Sequence, residues 1–339
     1  ILLYRGTTDR EVVAEGASHK MTYSFINISE SQFGSDITVN YKLRNVTGIA
    51  NEESVNVPAP LPGDTVTFDL DVSTIGQAGQ NDLEVFANPY VLPEEFYDNN
   101  VINLFKHLEV TADMVNPVLE VMIDGRYLEN NDFVSPSPDI SIRLWDDNSY
   151  LKKADTVGLN VYLAYPCDED VCDFRRIAFS EPEMKWFAAT DTSDFMVYFT
   201  PENLPPGKYT LRVEAKDVTG NSSGSEPYSI NFRVNTETEV IFDPPFPNPF
   251  LENVLFRFLI TGKTLPDYFR LRIYDLKGIM VKELTENDIP RIFIGSNTIS
   301  YQGDDNQKKL LPGGVFIYHL SLQNNGKMFT DYGKIVLTR

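Results

Sequence analysis

Few residues in this chain have the types and spacing that covalent or metal chemistry needs. Cys167 and Cys172, in "YPCDEDVC", are its two cysteines, and His19, His107 and His319 all lie far from them in sequence. A zinc site would need more thiol or imidazole ligands close by, so the spacing predicts a local disulfide made in an oxidising compartment. Closing so short a loop contributes about 2 kcal/mol, enough to stiffen a loop tip. Nucleophilic catalysis needs a Cys or Ser beside an activating base. His319 in "VFIYHLSL" and His107 in "LFKHLEV" instead alternate within strand-like runs, and His19 has no companion motif. The glycine-rich stretches read as turns, because none follows a strand and opens a helix as a phosphate loop must. Carboxylates are plentiful without forming an arranged pair, so no catalytic residue is assigned and a glycan-hydrolase reading ranks last.

One constellation remains. "WDDN" at 145–148 and "KDVTGN" at 216–221 bring Asp146, Asp147, Asn148, Asp217 and Asn221, with the carbonyl of Val218 or Thr219, as hard oxygen donors of the kind Ca²⁺ prefers. The alternative is that these are Asx-turn residues satisfying their own backbone. Calcium is the one cofactor the sequence suggests.

The elements that must position these residues read as strands throughout. The 339 residues exceed one ordinary core and suit two or three domains, while 22 Phe, 17 Tyr and the scattered 20 Gly and 21 Pro point to β structure. "MTYSFINI", "ITVNYKLRN" and "TVTFDLDV" alternate in period two, burying Met21, Tyr23 and Phe25, then Ile37, Val39, Tyr41 and Leu43, then Val66, Phe68, Leu70 and Val72. A second segment carries an Asp124-Gly125 hairpin signal, the strand "DISIRLW" and a closing run through Ile230, Phe232 and Val234. Trp145 and Trp186 read as core or core-edge residues. The expected fold is all-β, three consecutive immunoglobulin-like antiparallel sandwiches over 1–112, 113–236 and 237–339.

The formal charge of −20 repels nucleic acid and anionic lipid surfaces at long range, so neither is an expected partner. No apolar run approaches the roughly 20 residues a membrane-spanning helix needs, and no charged-then-apolar leader is present. The opening "ILLYRGTTDREVV" reads as mid-domain, which leads us to expect a segment of a longer, processed protein with its targeting signal upstream. "DPPFPNPF" at 243–250 is expected to be a semi-rigid connector into the last domain.

Three resemblances follow. Pro62-Gly63 before a strand, "AGQNDLEV", and acidic residues leading into Asn99-Asn100 resemble the CARDB module, an immunoglobulin-like, adhesion-type domain of prokaryotic surface proteins. The last segment resembles the C-terminal sorting domain of type IX secretion cargo in Bacteroidetes. Pro247, Asn248 and Pro249 match its lead-in, and Tyr274, Asp275 and Gly278 its second piece. Gly303 and Asp305 match the third, Leu311, Pro312 and Gly314 the fourth, and Gly333, Lys334 and Ile335 the last. Tyr301 stands where the family usually has Trp, and Val315-Phe316 where Val-Tyr is common. The stretch from about 110 to 339, with "NPVLEVMIDGRYLENNDF" and "FRLRIYDLKGIMVKEL", is similar to the region downstream of the catalytic domain in C25 family cysteine peptidases of the PorU sortase type.

These resemblances imply a non-catalytic C-terminal region of a cell-surface, outer-membrane-associated or secreted protein. Its last domain would serve export and docking to a PorV-like outer-membrane β-barrel and the type IX translocon, with a Cys/His peptidase domain upstream. The other function class is an adhesin-like segment, exported the same way, whose first domain binds glycan or protein. Exposed aromatics clustered at one pole of residues 20–110 would favour it.

Overall fold

The structure, a computed structural model, describes residues 1–5, 11–167 and 172–339. It is all-β, and its strands enclose three hydrophobic cores, each lying between two sheets.

The first sandwich holds β1 (Leu2–Arg5), β2 (Glu11–Ala14), β3 (His19–Ile26), β4 (Ile37–Asn45), β5 (Ala50–Val57), β6 (Thr65–Val72), β7 (Gly79–Ala87) and β8 (Val101–Thr111). One sheet runs β1-β3-β6 and the other β2-β8-β7-β4-β5. Alternation does what it must: Tyr23 and Phe25 of β3, Val39 and Leu43 of β4, and Leu83 and Val85 of β7 all point into the core. Pairing is antiparallel except at β2, which joins β8 in parallel. Asn99 and Asn100 sit in a single 3₁₀ turn, Asp98–Asn100, that launches β8.

The second sandwich holds β9 (Val118–Ile123), β10 (Asp132–Val134), β11 (Ile140–Trp145), β12 (Asn160–Ala164), β13 (Phe174–Ile177), β14 (Met184–Phe187), β15 (Phe195–Phe199), β16 (Gly207–Glu214) and β17 (Tyr228–Val234). Its sheets run β10-β17-β16-β12-β13 and β14-β15-β11-β9. Asp124 and Gly125 both have positive φ, 55° and 79°, as a tight hairpin turn requires. The predicted hairpin nonetheless ends after one bridge, Ile123 to Arg126, because the chain then leaves to pair β10 in parallel with β17. Cys167 and Cys172 are disulfide-bonded. Trp145 and Trp186 stand at the core edge, 37% and 39% exposed, with Trp186 stacked on Phe195.

The third sandwich holds β18 (Val240–Phe242), β19 (Val254–Ile260), β20 (Tyr268–Tyr274), β21 (Met280–Thr285), β22 (Gly295–Tyr301), β23 (Gly314–Asn324) and β24 (Lys327–Leu337), in sheets β18-β19-β22 and β21-β20-β23-β24. The proline stretch is not the connector the sequence suggested. β18 precedes it and already pairs with β19, so residues 243–250 form a loop inside this sandwich, where Phe246 exchanges both backbone bonds with Leu255.

Compactness divides the chain into two units. One is Ile1–Pro117 with Asp146–Lys153 and Asp217–Asn221, and the other is Val118–Trp145, Ala154–Lys216 and Ser222–Arg339. Inside the second unit, a buried ion pair ties the second sandwich to the third. Asp132, just before β10's core residues, accepts from Arg126 Nη1 at 2.7 Å and from the Ser296 N–H and hydroxyl, each at 2.9 Å. Arg126 Nη2 donates to the Ile294 carbonyl at 2.9 Å, and its guanidinium shares the Phe293 ring with that of Arg291. Only glycine fits between them. Gly295 has φ of 107°, and a Cβ there would lie 2.3 Å from the Phe133 carbonyl oxygen.

Candidate functional sites

The residues that matched the sorting-domain pattern, scattered from 247 to 335, all lie in the third sandwich. Asn248, between Pro247 and Pro249, donates its amide to the Lys334 carbonyl at 2.8 Å and accepts from the Val336 N–H at 2.9 Å. Phe250 continues the clasp, donating to the Val336 carbonyl and accepting from the Thr338 N–H, both at 2.8 Å. The proline loop therefore grips the last strand through Asn248, whose side chain copies a strand's donor–acceptor pattern.

The remaining matches have equally local reasons. Asp275 closes an Asx turn, accepting from the N–H groups of Lys277 and Ile279, and Gly278 supplies the positive φ of 82°. Tyr274 stands at the bulge that ends the regular β20–β21 pairing. Asp305 does for Gln307 and Lys309 what Asp275 does for its own turn. Gly303 lets the Leu337 and Phe250 side chains close over it, with a would-be Cβ 3.1 Å from Leu337. Gly314 opens β23 opposite Leu337, Gly333 leaves room for the Tyr318 ring, and Ile335 is fully buried against Phe316's strand. Tyr301, in the usual Trp position, is 2% exposed beside Phe250, and its hydroxyl reaches the Asp304 carbonyl. Arg339 then staples the 302–311 turn through the carbonyls of Gln302, Gly303 and Leu311. The Lys334 side chain is exposed, and among the described residues its ammonium meets no hydrogen-bond or ion-pair partner.

A second site lies in the first unit. Asp113, Asp146 and Asp217 each bring a carboxylate oxygen within 4.8 Å of the others, all half-buried. Sequence reading found two of these and missed Asp113, which stands alone in "TADMVN" with no acidic neighbour to mark it. Asn148 and Asn221 flank these carboxylates. Their amide N–H groups hold the carboxylates, Asn148 on Asp113 at 2.9 Å and Asn221 on Asp217 at 2.8 Å. Asp147 is exposed and approaches only the Asp146 carboxyl. The Asx turns are also real, since Asp217 Oδ1 accepts from the N–H groups of Gly220 and Asn221, and Asp146 Oδ1 from Asn148. What the turns leave over is Asp146 Oδ2, buried without a donor. Burial, then the charges of Asp113 and Asp217 and a hydrogen bond with Asp147, raise the Asp146 carboxyl above its ordinary pKa.

A third feature is aromatic. Tyr90, 71% exposed, packs its ring 5.4 Å from Phe86 and 4.6 Å from Tyr97. The loop beneath is fixed by Asn88, which bonds Leu92 through both amide atoms, and by the Tyr97 hydroxyl on the Leu92 carbonyl. Tyr90 itself is held at φ of 59°, a region bulky residues avoid.

Among the described residues no helix is long and apolar enough to cross a membrane. The Y_Y_Y domain family matches residues 184–235, which are β14 to β17. None of the curated proteins matches the chain. Among solved structures, dimeric latent PorU from Porphyromonas gingivalis is 14% identical over 98% of this chain and 32% of its own, with a TM-score of 0.27. The FN1–FN3 domains of chicken CNTN1 are 10% identical over 100% and 98%, with a TM-score of 0.24. Domains from titin are 8% identical over 96% and 95%, also at 0.24. The chain thus spans about a third of the PorU chain it is similar to.

Proposed function

We propose that this chain is the non-catalytic C-terminal part of a type IX secreted, outer-membrane-associated protein, with its third sandwich serving export and docking to an outer-membrane barrel. The parent is read as a PorU-like C25 sortase whose catalytic domain lies upstream. The observation that carries the reading is the clasp of Asn248 and Phe250 on the last strand, which joins the first and last pieces of the sorting motif into one surface. The test is a pull-down of the intact parent from detergent-solubilised outer membranes. A PorV-like barrel is expected to copurify with a chain carrying the peptidase domain, and recovery of the chain alone argues against docking.

The aromatic cluster supports the adhesin-like reading of the first sandwich. Ring faces held rigid on a preorganised loop suit stacking on a sugar at low entropic cost. On this reading Tyr90→Ala lowers affinity for an array-identified glycan about tenfold, as truncating a central aromatic anchor does. If no glycan on the array binds, or if binding survives the substitution, the cluster has another role.

The carboxylate cluster is read as a Ca²⁺ site of the weak kind found in extracellular modules. At a few millimolar Ca²⁺, a site of that affinity stabilises the first unit by about 1–2 kcal/mol, so its melting temperature rises and chelator reverses the shift. Asp146→Asn with Asp217→Asn removes the response. Because the Asp146 carboxyl is raised, protons compete for it and the gain shrinks as the pH falls into the acid range. An unchanged melting temperature in Ca²⁺ leaves Asx turns as the whole explanation.

A further inference from the structure

Among the described residues β24 is an edge strand, paired with β23 and with no other strand. Its residues alternate between facing β23 and facing outward, and the bonds of Val336 to Asn248 and Phe250 fix which ones face outward. The proline loop closes that outward edge at Lys334 and Val336. By the same period of two, Met328, Thr330 and Tyr332 also turn their N–H and C=O groups away from β23, and no described residue pairs with them. Two of the usual guards of an open edge, a bulge and a proline, are missing here. The register with β23 runs unbroken from Gly314–Leu337 to Asn324–Lys327, with no bulge and no proline. The side chains on this stretch are displayed: Met328 is 51% exposed and Tyr332 is 76% exposed.

Charge singles out the same place. Residues 237–339 hold twelve acidic and twelve basic side chains, so the whole formal charge of −20 sits on residues 1–236. Lys327 and Lys334 bracket the open stretch, and its one acid, Asp331, already accepts from the Tyr318 hydroxyl at 2.9 Å.

Building on the reading of this sandwich as a docking domain, we propose that Met328–Tyr332 is a strand-addition site that takes an extended, acidic segment of a partner polypeptide as a new edge strand of the β21-β20-β23-β24 sheet. The unpaired backbone supplies the hydrogen bonds. Side chains of the incoming strand supply specificity: on the face of Met328, Tyr332 and Lys334, apolar ones lie over the first two and a carboxylate reaches Lys334, while at the other end a carboxylate on the opposite face reaches Lys327. A second copy of this chain fits less well, because the one acid it would bring, Asp331, is already held by the Tyr318 hydroxyl.

The test uses the full chain as bait for a displayed library of random peptides. Enriched sequences are expected to carry apolar residues at every second position with Asp or Glu near both ends, and a synthetic peptide of that pattern is expected to lose about tenfold or more in affinity on Thr330→Pro, which removes an N–H the fold does not use. Unchanged thermal unfolding of that variant confirms its fold. The double variant Lys327→Glu, Lys334→Glu is expected to shift the selection towards basic sequences. No enrichment, or binders indifferent to Thr330→Pro, overturns the edge site and leaves the export reading standing. Spontaneous disulfide-linked dimers of a Thr330→Cys chain under mild oxidation overturn it in favour of a second copy. A Thr330→Pro protein that loses the peptides yet reaches the cell surface normally keeps the site and overturns its role in export.

Discussion

Asp132→Ala is expected to destabilise the second unit by about 3–5 kcal/mol, the cost typical of breaking a buried ion pair from one side. The substitution removes the carboxylate bonded to Arg126 and also orphans the Ser296 N–H and hydroxyl. With side-chain exposures of 15% for Arg126 and 3% for Asp132, water compensates little. For a unit of this size that is a fall of about 10 °C or more in melting temperature. The form of the transition is as informative as its midpoint. Calorimetry of the parent chain should show the second and third sandwiches melting together, and the variant should split them. A variant melting within about 1 kcal/mol of the parent would mean that the ion pair is incidental and that the sandwiches are held by other contacts.

Removing Gly333–Arg339 is expected to unfold the third sandwich and abolish surface delivery. Ile335 is fully buried and Leu337 2% exposed, and deleting two such side chains costs about 4–8 kcal/mol before the clasp with Asn248 and the Arg339 staple are counted. That is comparable to the whole stability of an ordinary domain. Unfolding alone would also block export, so the informative partner is Lys334→Glu. Its side chain is exposed and only its backbone is used in the clasp, so stability should change by no more than about 0.5 kcal/mol. Delivery lost in both variants supports recognition of the strand itself. Delivery lost only in the truncation reduces the motif to a folding requirement, and a truncated chain that still reached the surface would sink the sorting assignment.

The proline loop shows why such motifs are read more easily than they are placed. Successive prolines fix local geometry, and from "DPPFPNPF" alone a connector is the natural expectation. Whether the loop lies before or inside a domain depends on β18, only Val240–Phe242, which carries too few residues to show a period of its own. The hairpin at Asp124-Gly125 failed in the same way. Its turn chemistry was right, but the next strand found a partner about a hundred residues away. The candidate sites follow suit. Asp146 and Asp217 were legible as loop acids, whereas Asp113 joins them only because the chain brings distant segments together. The roles of Asn148 and Asn221 turned on which amide atom faces the carboxylates.

By itself the sequence determined the all-β class and the inward faces of most strands, because period-two alternation is a local property of a few consecutive residues. The tertiary structure alone decided that Asn248 clasps the last strand, that Arg126 and Asp132 lock two sandwiches, and that half of β24 is left open. Those outcomes depend on which backbone groups find partners across long separations, and no short window of sequence encodes that choice.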